Sequence, residues 1–145
     1  WAHGAGEASY SSPLLADVAG VRLILYYNQR GIAAHDPLTG EDLWSYPWSN
    51  SEKVVCSQPV VLPGESGGVL LTTGYGGGSA LIRTSCDSEG RWSQPEPVWT
   101  SRTMKTKFTT AVARGDYVYG LDDGILPCIE LDTATASSCW STTCC

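Results

Sequence analysis

The stretch Ala34-His35-Asp36-Pro37-Leu38-Thr39-Gly40-Glu41-Asp42-Leu43-Trp44 decides how this chain is read. It has the form A-x-D-x-x-x-G-x-x-x-W. Asp36 closes a segment of strand character, and its carboxylate can accept a hydrogen bond from backbone two residues on. Pro37 presets the turn, and Gly40 takes backbone angles that a Cβ would forbid. The strand after the turn delivers Trp44, a large flat side chain suited to packing between neighbouring sheets.

Outward from this motif the chain divides into three similar units. The first runs from Ser11-Ser12-Pro13-Leu14-Leu15 to Trp44, the second from Ser57-Gln58-Pro59-Val60-Val61 to Trp99, and the third from Thr109-Thr110-Ala111-Val112 to Trp140. Counted at Pro13, Pro59 and Ala111, the openings recur after 46 and then 52 residues. Within the units, segments rich in Val, Ile, Leu, Thr and Tyr alternate with Gly, Pro, Asn and Asp clusters, the pattern of many short strands. Strands are predicted near 11–17, 20–27, 31–36, 42–48, 56–62, 68–74, 79–86, 97–101, 107–113, 116–121 and 125–131. Val98 to Arg114 lacks Gly and Pro, yet it carries five threonines and its apolar positions keep no helical spacing, so it reads as strand, loop, strand. The fold class predicted is all-β, with about three four-stranded antiparallel sheets: about 10–48, about 55–101, and an incomplete one at about 107–145. Four strands in roughly 40 to 50 residues is the size of one propeller blade.

Here the sequence resembles the PQQ-like (pyrroloquinoline-quinone-type) β-propeller repeat, whose tryptophan docks one blade on the next. Ala34, Asp36, Gly40 and Trp44 are the repeat-motif residues that the resemblance assigns. In the third unit, Tyr117-Val118-Tyr119-Gly120-Leu121-Asp122-Asp123-Gly124-Ile125-Leu126 is similar to the family's inner hairpin. After it, Cys128, Glu130, Ala134 and Ser138 stand where the repeat has Ala, Asp, Gly and Trp, and Trp140 arrives two residues late. The family includes quinoprotein dehydrogenases and non-catalytic propellers such as the outer-membrane-protein assembly lipoprotein. In the dehydrogenases two adjacent cysteines form a ring against the quinone, and Cys144-Cys145 is an adjacent pair. No carboxylate or amide of this chain can be assigned to the calcium ion those enzymes hold.

Composition narrows the function classes. The chain has 145 residues, a formal net charge of −6, 16 Gly and 8 Pro, which argues against a helical bundle. With 42% hydrophobic and 17% charged residues it can bury a core. Three lysines and six arginines give no broad cationic surface for phosphates, so neither a nucleic-acid partner nor an anionic membrane is expected. No run approaches the roughly 18 apolar residues a membrane helix needs, so direct membrane insertion is not expected either. The start, Trp1-Ala2-His3-Gly4, leads us to read the chain as a piece of something longer.

The remaining motifs read as architecture. Cys128, Cys139, Cys144 and Cys145 crowd the end without a C-x-x-C pair, and His3 and His35 stand apart from them, so no zinc site is expected. Cys56 and Cys86 read as small buried hydrophobes. Gly64-Glu65-Ser66-Gly67-Gly68 matches the G-x-S-x-G of hydrolases, but a strand rather than a helix follows and both histidines precede Ser66, so it reads as a hairpin loop. Gly74-Tyr75-Gly76-Gly77-Gly78 lacks the lysine of a phosphate cradle and reads as a flexible turn. Asp122 and Asp123 head a hairpin turn, their side chains expected on opposite faces. His35 is expected exposed. Arg102, Lys105 and Lys107, with Met104 and Phe108 between them, form a solvated or ion-paired loop and the first place to look for an anionic ligand.

The function these readings support is a non-catalytic binding or scaffold module with no catalytic, cofactor or metal residues. It is expected to be part of an exported, periplasmic-type PQQ-like propeller, with a protein partner or the remaining blades as its partners. The alternative is a fragment of a PQQ- and calcium-dependent alcohol or sugar dehydrogenase.

Overall fold

The computed structural model describes residues 1–2, 9–64, 68–133 and the backbone of 136–137. The strands are β1 (Leu14–Val18), β2 (Val21–Asn28), β3 (Gly31–His35), β4 (Asp42–Tyr46), β5 (Val60–Val61), β6 (Gly68–Thr73), β7 (Gly78–Arg83), β8 (Glu96–Ser101), β9 (Val112–Arg114), β10 (Tyr117–Tyr119), β11 (Cys128–Glu130) and β12 (Ala136–Ser137). Among the described residues there is no helix. Three four-stranded antiparallel meanders result, each pairing its strands in chain order, and none closes on itself.

Alternation along the strands explains how the sheets stack. Side chains one apart point to opposite faces, so a strand with both faces covered is apolar throughout. This is the case for β6, every residue of which is buried. Val69 and Leu71 pack with Leu23, Leu25 and Tyr27 of the first sheet, whereas Leu70 packs with Val118 and Ile129 of the third. The second sheet is therefore the middle layer. β2 alternates buried Leu23, Leu25 and Tyr27 with half-buried Ile24 and Tyr26, because only one of its faces is covered. Each fully buried Leu or Ile contributes roughly 1.5–3 kcal/mol of transfer free energy.

The first two sheets share a device that the sequence does not announce. Ala34 pairs with Trp44 and His35 with Asp42, so Leu43 bulges out; Leu81 pairs with Trp99 and Ile82 with Pro97, so Val98 bulges out. The bulge precedes the tryptophan in both cases. It also corrects the expectation for His35, which is 8% exposed and not a surface residue: the shifted register sets its Nδ1 2.7 Å from Asp42 Oδ1.

The two sheets also share a close approach at the start of the third strand. Gly31 has φ +141 and Gly78 φ +79, and an added Cβ would lie 2.1 Å from Tyr46 O in one and 2.2 Å from Ser101 O in the other. Only glycine fits there.

Several predicted strands begin late or end early. The segments 11–13, 56–59 and 107–111 lie outside β1, β5 and β9. At the second and third openings the polar groups leave the ladder to bond between sheets. Ser57 Oγ donates to Thr109 O at 2.7 Å and lies 2.5 Å from Thr106 Oγ1, which lies 2.6 Å from Thr72 Oγ1. β7 stops at Arg83 instead of reaching 86, because 84–95 forms an excursion with its own bridge, Cys86 to Trp92. Cys86 in this excursion and Cys56 in the connection from β4 to β5 are half-buried free thiols, since neither sits in a strand. The third sheet has four strands where an incomplete one was expected, and all are short. Its register sets Ser137, not Ser138, opposite Cys128, at the place Trp44 and Trp99 hold in the other sheets. Trp140, Cys139, Cys144, Cys145 and Ser66 lie outside the described residues.

Candidate functional site

The motif residues are placed by local chemistry first. Asp36 Oδ1 accepts from the backbone N–H groups of Leu38 and Thr39, both at 2.7 Å, and Gly40, at φ +77, closes the turn by donating to Asp36 O at 2.9 Å. The two N–H donors, Thr39 first, hold the Asp36 carboxyl below the usual range. Ala34 is fully buried beside Trp44, which is 3% exposed and packs with both first-sheet and second-sheet side chains. Trp92 meets it at 6.3 Å between ring centroids.

The motif residue Asp36 has an unannounced counterpart in the excursion. Asp87 Oδ1 accepts from Glu89 N at 2.9 Å and Arg91 N at 3.0 Å, and Gly90 takes φ +80. The short pattern Asp87-x-x-Gly90-x-Trp92 was the signal available in the sequence. This turn brings Trp92 onto Trp44.

Trp99 takes the corresponding position at the next junction. It packs in the cluster shared by the second and third sheets, and its Nε1 donates to Leu131 O at 2.6 Å. The Nε1 of Trp44, by contrast, has no hydrogen-bond partner.

Chemistry-bearing side chains gather at one end of the sheets. The connection from β4 to β5, the β6–β7 turn, the β8–β9 loop and the β10–β11 turn meet there: Ser51 Oγ donates to Tyr75 O, and Lys105 N to Asp122 Oδ1, both at 3.3 Å. Of the five described non-glycine residues with positive φ, four lie at this end: Lys53, Tyr75, Met104 and Asp123. Such conformations persist only where surroundings enforce them, and they concentrate at functional sites. The Gly74 to Gly78 segment, expected to be flexible, is a tight turn closed by Gly77 N donating to Gly74 O at 3.0 Å.

Lys107 occupies a prepared seat. A Cβ on Gly74 would lie 2.4 Å from Lys107 Cγ, so the bare glycine makes room for the lysine stem. Lys107 Nζ then lies 5.6 Å from the centre of the Tyr75 ring and 3.1 Å from Asp123 Oδ1. Lys105 Nζ pairs with Asp122 Oδ1 and lies 3.6 Å from Asp123 Oδ2. Asp122 and Asp123 were expected on opposite faces, but both reach Lys105. They belong to a turn, in which Asp122 N donates to Ile125 O at 2.7 Å, rather than to a flat strand. The hydrogen bond to Lys107 holds the Asp123 carboxyl low, and the bond to Asp122 holds the Lys105 ammonium high. Arg102 is exposed and has no part in this network.

Beside the network opens a groove of about 510 Å³ lined by Lys105, Lys107, Phe108, Thr109, Leu121 and Asp123 among others. A smaller recess of about 230 Å³ lies by Leu43, Trp44, Ser45 and Gln94. Among the described residues no three His, Cys, Asp or Glu side chains gather as metal ligands, and no helix is long and apolar enough to cross a membrane. No model of a known protein family matches the chain, and no curated protein matches it either.

Proposed function

We propose that this chain is a non-catalytic binding and scaffold module, three units of a PQQ-like β-propeller within a larger exported protein. The observation that carries the reading is Gln58. Its backbone N–H donates to Thr110 Oγ1 at 3.1 Å, and its Nε2 donates to Ser12 O at 3.3 Å. Ser12, Gln58 and Thr110 are the same position of the three units, 46 and 52 residues apart. Like positions of consecutive units touch when the units turn about an axis passing close to them, as blades do. The repeated tryptophans support the same reading, since Trp44 and Trp99 each face the sheet that follows. Cys128 is disulfide-bonded, and disulfides persist in oxidising compartments, which supports export.

The experiment is a titration of the full chain with PQQ, with and without calcium, following quinone fluorescence, together with a dye-linked assay on alcohols and glucose. A scaffold gives neither saturable binding nor oxidation. Saturable micromolar binding of PQQ that requires calcium would overturn the reading in favour of a quinoprotein dehydrogenase.

A further inference from the structure

The geometry points to the groove at the loop end as the docking site for a short acidic segment of a partner protein. A carboxylate of the segment would lie on Lys107, and a neighbouring bulky apolar side chain on Phe108 and Leu121. The inference rests on the binding-module reading and gives it a site and a partner chemistry.

The charge distribution is the first argument. The chain is acidic overall, at −6, yet two of its three lysines meet at this groove. Lys105 is the better covered of the two, at 26% exposure, and lies within reach of both Asp122 and Asp123. Lys107 is 44% exposed, and the one carboxylate it pairs with, Asp123, is 49% exposed and shared with Lys105. An exposed ion pair of this kind is held weakly, so an incoming carboxylate can take the place of Asp123 on Lys107. The stem of Lys107 is already seated over Gly74 with its ammonium above Tyr75, which lowers the ordering cost of binding.

The apolar surroundings are the second argument. Phe108 is 74% exposed, Ile125 71%, Leu126 55% and Leu121 40%, all on the loop and turn that border the groove. Large side chains left in water beside a charged pair are what an interface anchor needs. A nucleic acid is a poor occupant, because two lysines neutralise few phosphates and the net charge repels a polyanion.

The test is fluorescence anisotropy of the full chain with a labelled octapeptide alternating glutamate and leucine, beside its counterpart alternating glutamine and leucine. Saturable micromolar binding of the acidic peptide is expected, with the glutamine peptide roughly tenfold weaker or worse. Phe108→Ser and Lys107→Gln should each weaken binding about fivefold or more, while Lys107→Arg retains it. Phe108 is exposed, so its variant reports on binding even if Lys107→Gln disturbs the turns. Equal binding of both peptides, or no saturation up to about 1 mM, would overturn the assignment. So would a concentration-dependent dimer abolished by Phe108→Ser, which would make a second copy of the chain the occupant. Failure here without PQQ binding overturns the groove alone. PQQ binding overturns the scaffold reading whatever the peptide does.

Discussion

The backbone N–H of Gln58 donates to the side-chain hydroxyl of Thr110 at 3.1 Å, across 52 residues of chain. Its neighbour Ser57 reaches Thr109 differently, donating from Oγ to the Thr109 backbone carbonyl at 2.7 Å. The first bond needs the threonine side chain and the second does not. Thr110→Val should therefore cost about 1 kcal/mol, the worth of one ordinary hydrogen bond, whereas Thr109→Val should leave stability unchanged within about 0.5 kcal/mol. Urea titrations of the two variants check this. Equal losses would mean that the sheet junction does not depend on the Thr110 hydroxyl.

Trp44 and Trp99 occupy equivalent positions but differ in one bond. Trp99 Nε1 donates to Leu131 O, and Trp44 Nε1 has no partner. Phenylalanine removes the indole N–H from both sites. Trp99→Phe should be costlier than Trp44→Phe by about 1–3 kcal/mol, because it strands a carbonyl. Trp44→Ala should itself cost about 3–5 kcal/mol, since it empties a large aromatic site in the core shared by two sheets. Denaturant midpoints that ranked the two phenylalanine variants the other way would refute the account.

Gly31 and Gly20 both have positive φ, yet only Gly31 faces backbone where a Cβ would go. Gly20→Ala should cost about 1–2 kcal/mol, the strain of a left-handed alanine in open space. Gly31→Ala should cost more than about 3 kcal/mol, because Tyr46 O is backbone and cannot yield cheaply. Thermal melts of the two variants would separate strain from collision, and indistinguishable midpoints would count against the close approach.

Acid should destabilise the fold through named carboxylates. Asp36, Asp87 and Asp123 are held low by backbone N–H donors, by Arg91 and by Lys107 respectively. A carboxyl with a lower pKa folded than unfolded stabilises above its unfolded value of about 3.9, and that contribution disappears as pH falls through the folded value. Lys105 has the opposite sign. Its raised value adds stability below about pH 10.4, and that stability is lost as pH rises through the raised value. The melting temperature should fall below about pH 4, and Asp87→Asn should make that fall shallower. Superimposable acid limbs for Asp87→Asn and the parent would exclude Asp87 as a contributor.

The sequence by itself determined the all-β class, the three meanders and the local turns. These follow from short-range rules: Gly and Pro break the chain, β-branched residues extend it, Asp36 captures the N–H groups of Leu38 and Thr39, and Asp123-Gly124 makes a two-residue turn. Only the tertiary structure decided the bulges after Ala34 and Leu81, the burial of His35, and the seating of Trp92 on Trp44. It alone brought Lys105 to Asp122, 17 residues away, and set Lys107 between Tyr75 and Asp123. The reason is physical. A turn is fixed by torsions and hydrogen bonds within a few residues, which residue types record. The side chains that meet across sheets depend on register, bulge and sheet stacking, and these are set by the packing of the whole core rather than by any one segment.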